Sequence, residues 1–251
     1  MNENKGLHLL YKKLGETPHE TILRFKKENP QFETIKITYA GRLDPMAEGL
    51  LLVLSGENLQ KKDEYLGLPK TYEFKVLWGF ETDTLDILGK VGKYDLKEVT
   101  LDVLKSKLAE NIGKFKQKYP AYSSRPVNGK PMFVWAREGR LSEIEIPSHE
   151  VEIFDLKHLK RKKVDKNDLL KQIKNDISLV KGDFRQDEII KKWDEILLKI
   201  KEDIFTVDSF EIKVSSGFYV RQFVLDFAKK LETLGITLHI KRTKIGEFEL
   251  G

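Results

Sequence analysis

The sequence predicts an α+β domain built around a mixed or antiparallel sheet, and three observations carry that expectation. Strand-like segments with apolar–polar alternation are interleaved with amphipathic helical segments along the whole chain. The spacing between them is short and hairpin-like, which suits antiparallel neighbours. An amphipathic helical pair also lies between two strand-like segments, as an insertion into a continuing sheet would.

Each element has its own signal. In GETPHETILRFKKEN, Thr17 is placed to cap a helix, Pro18 to take its first position and Glu20 to complete a capping box; Ile22, Leu23 and Phe25 supply the expected inner face. Leu50–Leu54 is too short to cross a membrane and reads as a buried strand. KTYEFKVLWG alternates Tyr72, Phe74, Val76 and Trp78 against polar neighbours, a half-buried strand, and DTLDILGKVGKYD is rich in turn residues. TLDVLKSKLAENIG puts Leu101, Leu104, Leu108 and Ile112 at helical spacing, with a stop expected at Gly113. A long loop and the strand EVEIFDL follow. From about residue 157 to 205 the chain is charged and lacks proline, and it offers two amphipathic helices punctuated by Gly182-Asp183. Their apolar positions are Leu169, Leu170, Ile173, Ile177 and Val180, then Ile189, Trp193, Ile196, Leu197 and Ile200. FEIKVSS resumes a strand, YVRQFVLDFAKKLETLG is a helix expected to end at Gly235, and LHIKRTKIGEFEL is extended.

Composition narrows the function. The chain has 251 residues and no cysteine, which excludes disulfides and thiolate metal sites and fits a reducing, cytoplasmic setting. The first residues form no signal peptide, and no window approaches the roughly eighteen apolar residues of a membrane helix. Net charge is +5, with basic clusters at Leu159–Lys166 and Phe115–Pro131 of the kind that suit a polyanion. There is no phosphate-binding G-x-x-x-x-G-K-[ST] loop and no G-x-G-x-x-G. His8, His19, His149, His158 and His239 are scattered without ligand spacing, so neither a metal nor a cofactor is expected. What remains is carboxylate chemistry.

One carboxylate is awkwardly placed. In YAGRLDPMAEGLLLVL, Asp44 lies between Leu43 and Pro45, flanked by Gly41 and Gly49 and followed by the apolar run. Local chemistry alone leaves two readings open: an Asp-Pro turn opener, or a rigid loop aiming a carboxylate into a pocket.

Four blocks in order carry a resemblance. YAGRLDPMAEGLLLVLSG resembles the G-[TR]-L-D-P-x-A-x-G-L-L segment of the TruB family of tRNA pseudouridine synthases. KTYEFKVLWGFETDTLDILGKV is similar to its K-x-Y strand followed by G-x-x-T-D-T-x-D-x-x-G. YPAYSSRPVNGKPMFVWAREG resembles its P-x-Y-S-A-x-K loop, VSSGFYVRQFVLDFAKKL its C-S-x-G-T-Y-[IV]-R segment, and KRTKIGEF its RR-T-x-[IV]-G-x-F ending. Together they cover most of residues 5–250.

The resemblance implies the pseudouridine synthase fold: a mixed, mostly antiparallel sheet with flanking helices and a cleft for one flipped base. It implies isomerisation of uridine-55 in the T-loop of tRNA without cofactor or metal. Asp44 matches the catalytic aspartate, Arg221 the arginine that pairs with it, Tyr72 the tyrosine that stacks on the base, Tyr219 a second pocket tyrosine and Ile240 a pocket leucine. The basic loop Tyr119–Gly139, with Arg125, Lys130 and Arg137, matches the RNA-gripping loop; Tyr39 and Arg42 precede the aspartate on the RNA side. Tyr39 departs from the usual histidine there, so base flipping would rely on aromatic stacking. The expectation is one catalytic domain over 1–251 with the helical insertion at 157–205, acting as a monomer on the T-arm and lacking the C-terminal RNA-binding domain of many members. The insertion is expected to be either a solvated elaboration or, through its KRKK end, a second grip on tRNA. Two other functions stay open: a catalytically silent RNA-binding protein or tRNA-folding chaperone, and a nucleoside glycosidase using Glu48 as a second carboxylate.

Overall fold

The computed structural model describes residues 6–250. In chain order it runs β1 (Leu7–Lys12), α1 (Pro18–Glu28), β2 (Ile37–Ala40), β3 (Ala47–Ser55), α2 (Lys62–Gly67), β4 (Lys70–Trp78), β5 (Phe80–Thr82), β6 (Val91–Tyr94) and α3 (Leu101–Leu108). It continues with β7 (Gly113–Lys118), β8 (Pro126–Val127), β9 (Lys130–Pro131), α4 (Met132–Arg137), β10 (Ser148–Asp165), α5 (Lys166–Ser178), α6 (Gln186–Lys199), β11 (Ile204–Val214), α7 (Val220–Lys230), β12 (Gly235–Ile245) and β13 (Phe248–Glu249). Among the described residues, nine strands form one sheet in the order β1-β3-β12-β4-β11-β10-β7, with β2 on β3 and β13 on β12. β3 and β12 run parallel, and the other neighbours in this sheet are antiparallel. The α+β expectation, with a mixed and mostly antiparallel sheet, holds.

Two helical layers cover the middle of the sheet. Under α7, Phe223 and Phe227 stack on each other and meet Phe74, Trp78 and Phe210. Elsewhere, Leu169, Ile173 and Ile177 of α5 and Ile189, Trp193 and Leu197 of α6 close over Leu77, Phe205, Val207 and Ile236. Each such fully buried aliphatic or aromatic side chain contributes about 1.5–3 kcal/mol. β3 is apolar on both faces because both are covered: Leu50, Leu52 and Leu54 enter one cluster, Leu51 and Val53 another.

Several sequence expectations are corrected. The helical insertion does not begin at residue 157. β10 continues through the charged stretch to Asp165, paired with β11 up to Asp165↔Ile204, and α5 starts only at Lys166 with Asp165 as its cap. Cross-strand hydrogen bonds impose the strand where side-chain alternation gives no sign of it. The inner faces of the two helices are buried as their spacing predicts, and the Trp193 indole donates to the Ile87 carbonyl at 3.2 Å.

At α1 the capping box is present, with Thr17 N–H donating to Glu20 and Glu20 N–H to the Thr17 hydroxyl. Leu23, however, points outward at 52% exposure. α3 stops at Leu108, which leaves Ile112 49% exposed. α7 ends at Lys230, where Glu232 takes the left-handed turn; Gly235 instead opens β12, packed so closely on Trp78 that a Cβ would stand 2.9 Å from its ring. The 119–139 loop carries the β8–β9 hairpin and α4.

Candidate active site

Asp44 belongs to both local readings at once. Its carbonyl accepts the Ala47 N–H at 3.0 Å, a turn closing straight into β3, while its carboxylate faces the Arg221 guanidinium. The bend is held from three sides. Gly15 N–H donates to the Pro45 carbonyl at 2.9 Å, and the buried Lys12 ammonium donates to the Ala47 carbonyl. Arg242, fully buried on β12, donates to the carbonyls of Leu50 (2.8 Å), Arg42 (3.2 Å) and Gly41 (3.4 Å). Burial pushes the Lys12 amine down to about 8, against the opposing pull of Asp44, Glu16 and Glu48.

Arg221 lies in the first turn of α7, 4% exposed. Its Nε and Nη2 stand 2.9 and 2.8 Å from the same Asp44 oxygen. Nη1 donates to the Thr84 carbonyl and Nη2 also reaches the Tyr122 carbonyl at 3.3 Å. With its fork filled, the guanidinium cannot rotate, and it fixes the direction of a carboxylate that keeps 40% of its surface exposed.

A second carboxylate stands behind it. Asp86 Oδ2 is 3.6 Å from Arg221 Nε, and its Oδ1 accepts from the Thr84 hydroxyl (2.6 Å) and the Leu88 N–H (3.0 Å). Burial pushes the Asp86 carboxyl up to about 6 although Arg221 pulls it down. Sequence reasoning missed Asp86 as a site residue; its signal was the second aspartate of the T-D-T-x-D match. Lys12 and Arg242 were missed too, because nothing in a local window announces a cation that binds main-chain carbonyls.

The other expected pocket residues sort clearly. Tyr72 and Ile240 share a buried cluster with Leu43 and Ala47, and Ile240 lies opposite Ala47 in the β3–β12 register. Tyr219 precedes α7 half-buried, its main chain held on both sides by the Gln117 amide at 2.8 and 3.1 Å. Burial and then the Asp44 charge push the Tyr219 hydroxyl up to about 12, so it stays protonated and able to donate near neutral pH. Tyr39 is not part of this group: it packs with Ile22, Leu51 and Val53 beside α1.

The basic residues are unequal. Arg42 is exposed, and its charge reaches the Tyr219 hydroxyl. Arg125 is exposed and lies over the Tyr119 ring at 5.2 Å, while Tyr119 stacks on His149 and meets Tyr219 edge-on. Lys130 is tied to Glu138 at 2.9 Å, and Arg137 donates to the Asp183 carbonyl at 2.6 Å. In the expected KRKK grip, Arg161 is turned inward onto the buried Asp208 at 2.7 Å. Among the described residues no cluster of His, Cys, Asp or Glu could hold a metal, and no helix is long and apolar enough to cross a membrane.

Proteins of known kind resemble this chain over nearly its whole length. Relatives called tRNA pseudouridine synthase B match 98% of the chain: in Aquifex aeolicus at 28% identity over 245 residues, covering 70% of that protein, and in Ligilactobacillus salivarius at 28% over 248 residues, covering 69%. A solved structure described as "Crystal Structure of a Cbf5-Nop10-Gar1 Complex" superposes with a TM-score of 0.59 at 16% identity over 98% of this chain. The chain spans about half of that protein, and the likeness establishes the pseudouridine synthase fold. The family described as TruB family pseudouridylate synthase (N terminal domain) matches residues 28–184, more than half of the sequence. On that match, the chain belongs to the TruB family of pseudouridylate synthases.

Proposed function

We propose that the protein converts a uridine in the T-loop of tRNA, uridine-55, to pseudouridine, with Asp44 as the catalytic carboxylate. The observation that carries this reading is the Asp44–Arg221 pair, a half-exposed acid aimed by a buried guanidinium at the end of an apolar strand. In the reaction the N1–C1′ bond breaks, the uracil turns over, C5 bonds to C1′, the C5 proton leaves to solvent and N1 takes up a proton in its place. Asp44 is the group placed to form or accept a bond as the glycosidic bond breaks. Arg221 sets its direction and balances its charge. Tyr72, with Ile240 behind it, would supply the face on which the flipped base rests, and the protonated Tyr219 a donor beside the carboxylate.

Extruding a base from the loop costs a few kcal/mol, so the rim must hold the RNA while the base is out. Arg42 and Arg125 are exposed to do so, and Lys130 and Arg137 of the same 119–139 segment as Arg125 would add to the hold. Tyr39 would wedge by stacking. The same reading takes the chain as one catalytic domain with the 166–199 helices inserted, working as a monomer in the cytoplasm and needing no cofactor.

The test is tritium release from a tRNA transcript labelled at uracil C5. Wild type should release label at a rate that Asp44→Asn abolishes. Tight binding by both proteins with release by neither would leave a tRNA-folding chaperone on the same scaffold.

A further inference from the structure

We infer that the turn joining α5 to α6 is a working part of the site, and that Arg185 in it is a positioning residue that sets the basic 119–139 segment for RNA. The inference rests on the tRNA reading above. The turn touches the site from both sides. Arg185 Nη1 stands 2.8 Å from Asp83 Oδ2, and its guanidinium lies 5.1 Å from the centre of the Tyr122 ring. The Tyr122 hydroxyl donates to the same Asp83 oxygen at 3.0 Å, closing a triangle. Asp83 in turn accepts the Lys90 N–H at 2.8 Å and begins the turn that carries Asp86.

Tyr122 continues the line inward, because its carbonyl accepts from Arg221, the partner of Asp44. Within three residues of Arg185 on either side the anchoring repeats. Arg137 at the end of α4 donates to the Asp183 carbonyl and lies over the Phe184 ring at 5.9 Å, and Lys90 pairs with Glu188. Arg185 also holds the left-handed conformation (φ +64°), a posture that arginine adopts at a cost, and it directly precedes α6 without capping it. Its side chain is committed to Asp83 and Tyr122 instead. The inserted helices therefore act as a strut: their inner face is anchored on the sheet, and their turn fixes the segment that presents Tyr119 and Arg125.

Because Nη2 of Arg221 keeps Asp44 and Nη1 keeps Thr84 without help from Arg185, the loss should appear in substrate holding rather than in chemistry. The test compares the full-length wild type, Arg185→Ala, Asp83→Ala, the double variant and Arg185→Lys, reading KM and kcat by tritium release and Kd for the same transcript. Each alanine variant should raise KM and Kd by about five- to ten-fold, with kcat within about two-fold, as for a lost hydrogen bond that is partly exposed to solvent. The double variant should lose clearly less than the sum of the two single losses, since both remove the Arg185–Asp83 pair. Arg185→Lys should recover part of the loss by keeping the pair with Asp83.

Additive effects, or a KM raised by Arg185→Ala and lowered by Asp83→Ala, would mean that Arg185 meets phosphate directly and would overturn the inference. So would a fall in kcat and melting temperature at unchanged KM and Kd, the mark of a merely structural contact. Should wild type bind the transcript and release no tritium, the activity reading fails, and the pattern of the five Kd values still decides the role of Arg185.

Discussion

Gly49 lies so close against the main chain of Arg242 that a Cβ at position 49 would collide with the Arg242 carbonyl oxygen. β3 and β12 are parallel there, with Gly49 opposite Arg242 in the register, and Gly49 has φ +109°. Both the contact and the angle exclude a side chain. Gly49→Ala should therefore destabilise the fold by about 2 kcal/mol or more, read as a lowered urea midpoint.

The same approach lets Arg242 reach the bend before Asp44. Its acceptors are three main-chain carbonyls, one buried and two part-buried, so Arg242→Met should leave the Leu50 carbonyl unpaired and loosen the bend, at a cost of about 1–3 kcal/mol. Because the acceptors include the carbonyls of Gly41 and Arg42, kcat should fall further than the melting temperature alone explains. Assaying well below the variant's melting temperature separates the two effects.

Arg221→Lys keeps a cation beside Asp44 but loses the fork that also holds Thr84 and Tyr122. A lysine is a point charge on a flexible stem, so the carboxylate loses its fixed direction. We expect kcat to drop by about a hundred-fold or more, with tRNA Kd changed by less than about three-fold. Equal losses in both would place Arg221 in RNA holding.

Asp86 gives the pH dependence. Its carboxyl is pushed up to about 6 by burial, so in the folded protein it takes up a proton as the pH falls through that value. Protonation removes the charge that holds Arg221 from behind, and kcat should decline below about pH 6. Asp86→Asn should be slow at every pH and lack that limb. Linkage has a definite sign here. Between the unfolded value near ~3.9 and the folded value of about 6, the folded state holds the extra proton, so wild type loses stability as pH rises. The melting temperature of Asp86→Asn minus that of wild type should therefore increase from pH 4 to 6.

The rim residues should differ in weight. Arg125 faces solvent over Tyr119, whereas Lys130 is already paired with Glu138. Arg125→Ala should weaken tRNA binding and reduce the salt slope of log Kd by about 0.7, the share of one phosphate contact on single-stranded RNA. Lys130→Ala should have the smaller effect on both.

What was legible in the sequence depended on how local its cause is. The capping box at Thr17 and Glu20 and the alternation of Tyr72, Phe74, Val76 and Trp78 are decided within a few residues, and both stand as read. The pairing of Asp44 with Arg221 came from matched motifs and not from periodicity, since 177 positions separate them. The strand from Lys157 to Asp165 was hidden because β11 imposes it across the sheet, and its one inward arginine answers a buried Asp208 far along the chain. Lys12 escaped for the same reason, defined by what the fold brings to it, whereas Asp86 and Arg242 stood inside matched motifs without their contacts being legible there. Tyr39 is a case where motif position gives no side-chain contacts: its ring packs with Ile22, Leu51 and Val53 beside α1.

The most direct measurement is to map the modified position itself. A tRNA transcript is incubated with wild type or Asp44→Asn, treated with a carbodiimide that marks pseudouridine, and read by reverse transcription. One stop at the T-loop uridine with wild type and none with Asp44→Asn is the predicted result. A stop elsewhere, no stop with wild type, or an undiminished stop with Asp44→Asn would contradict the account.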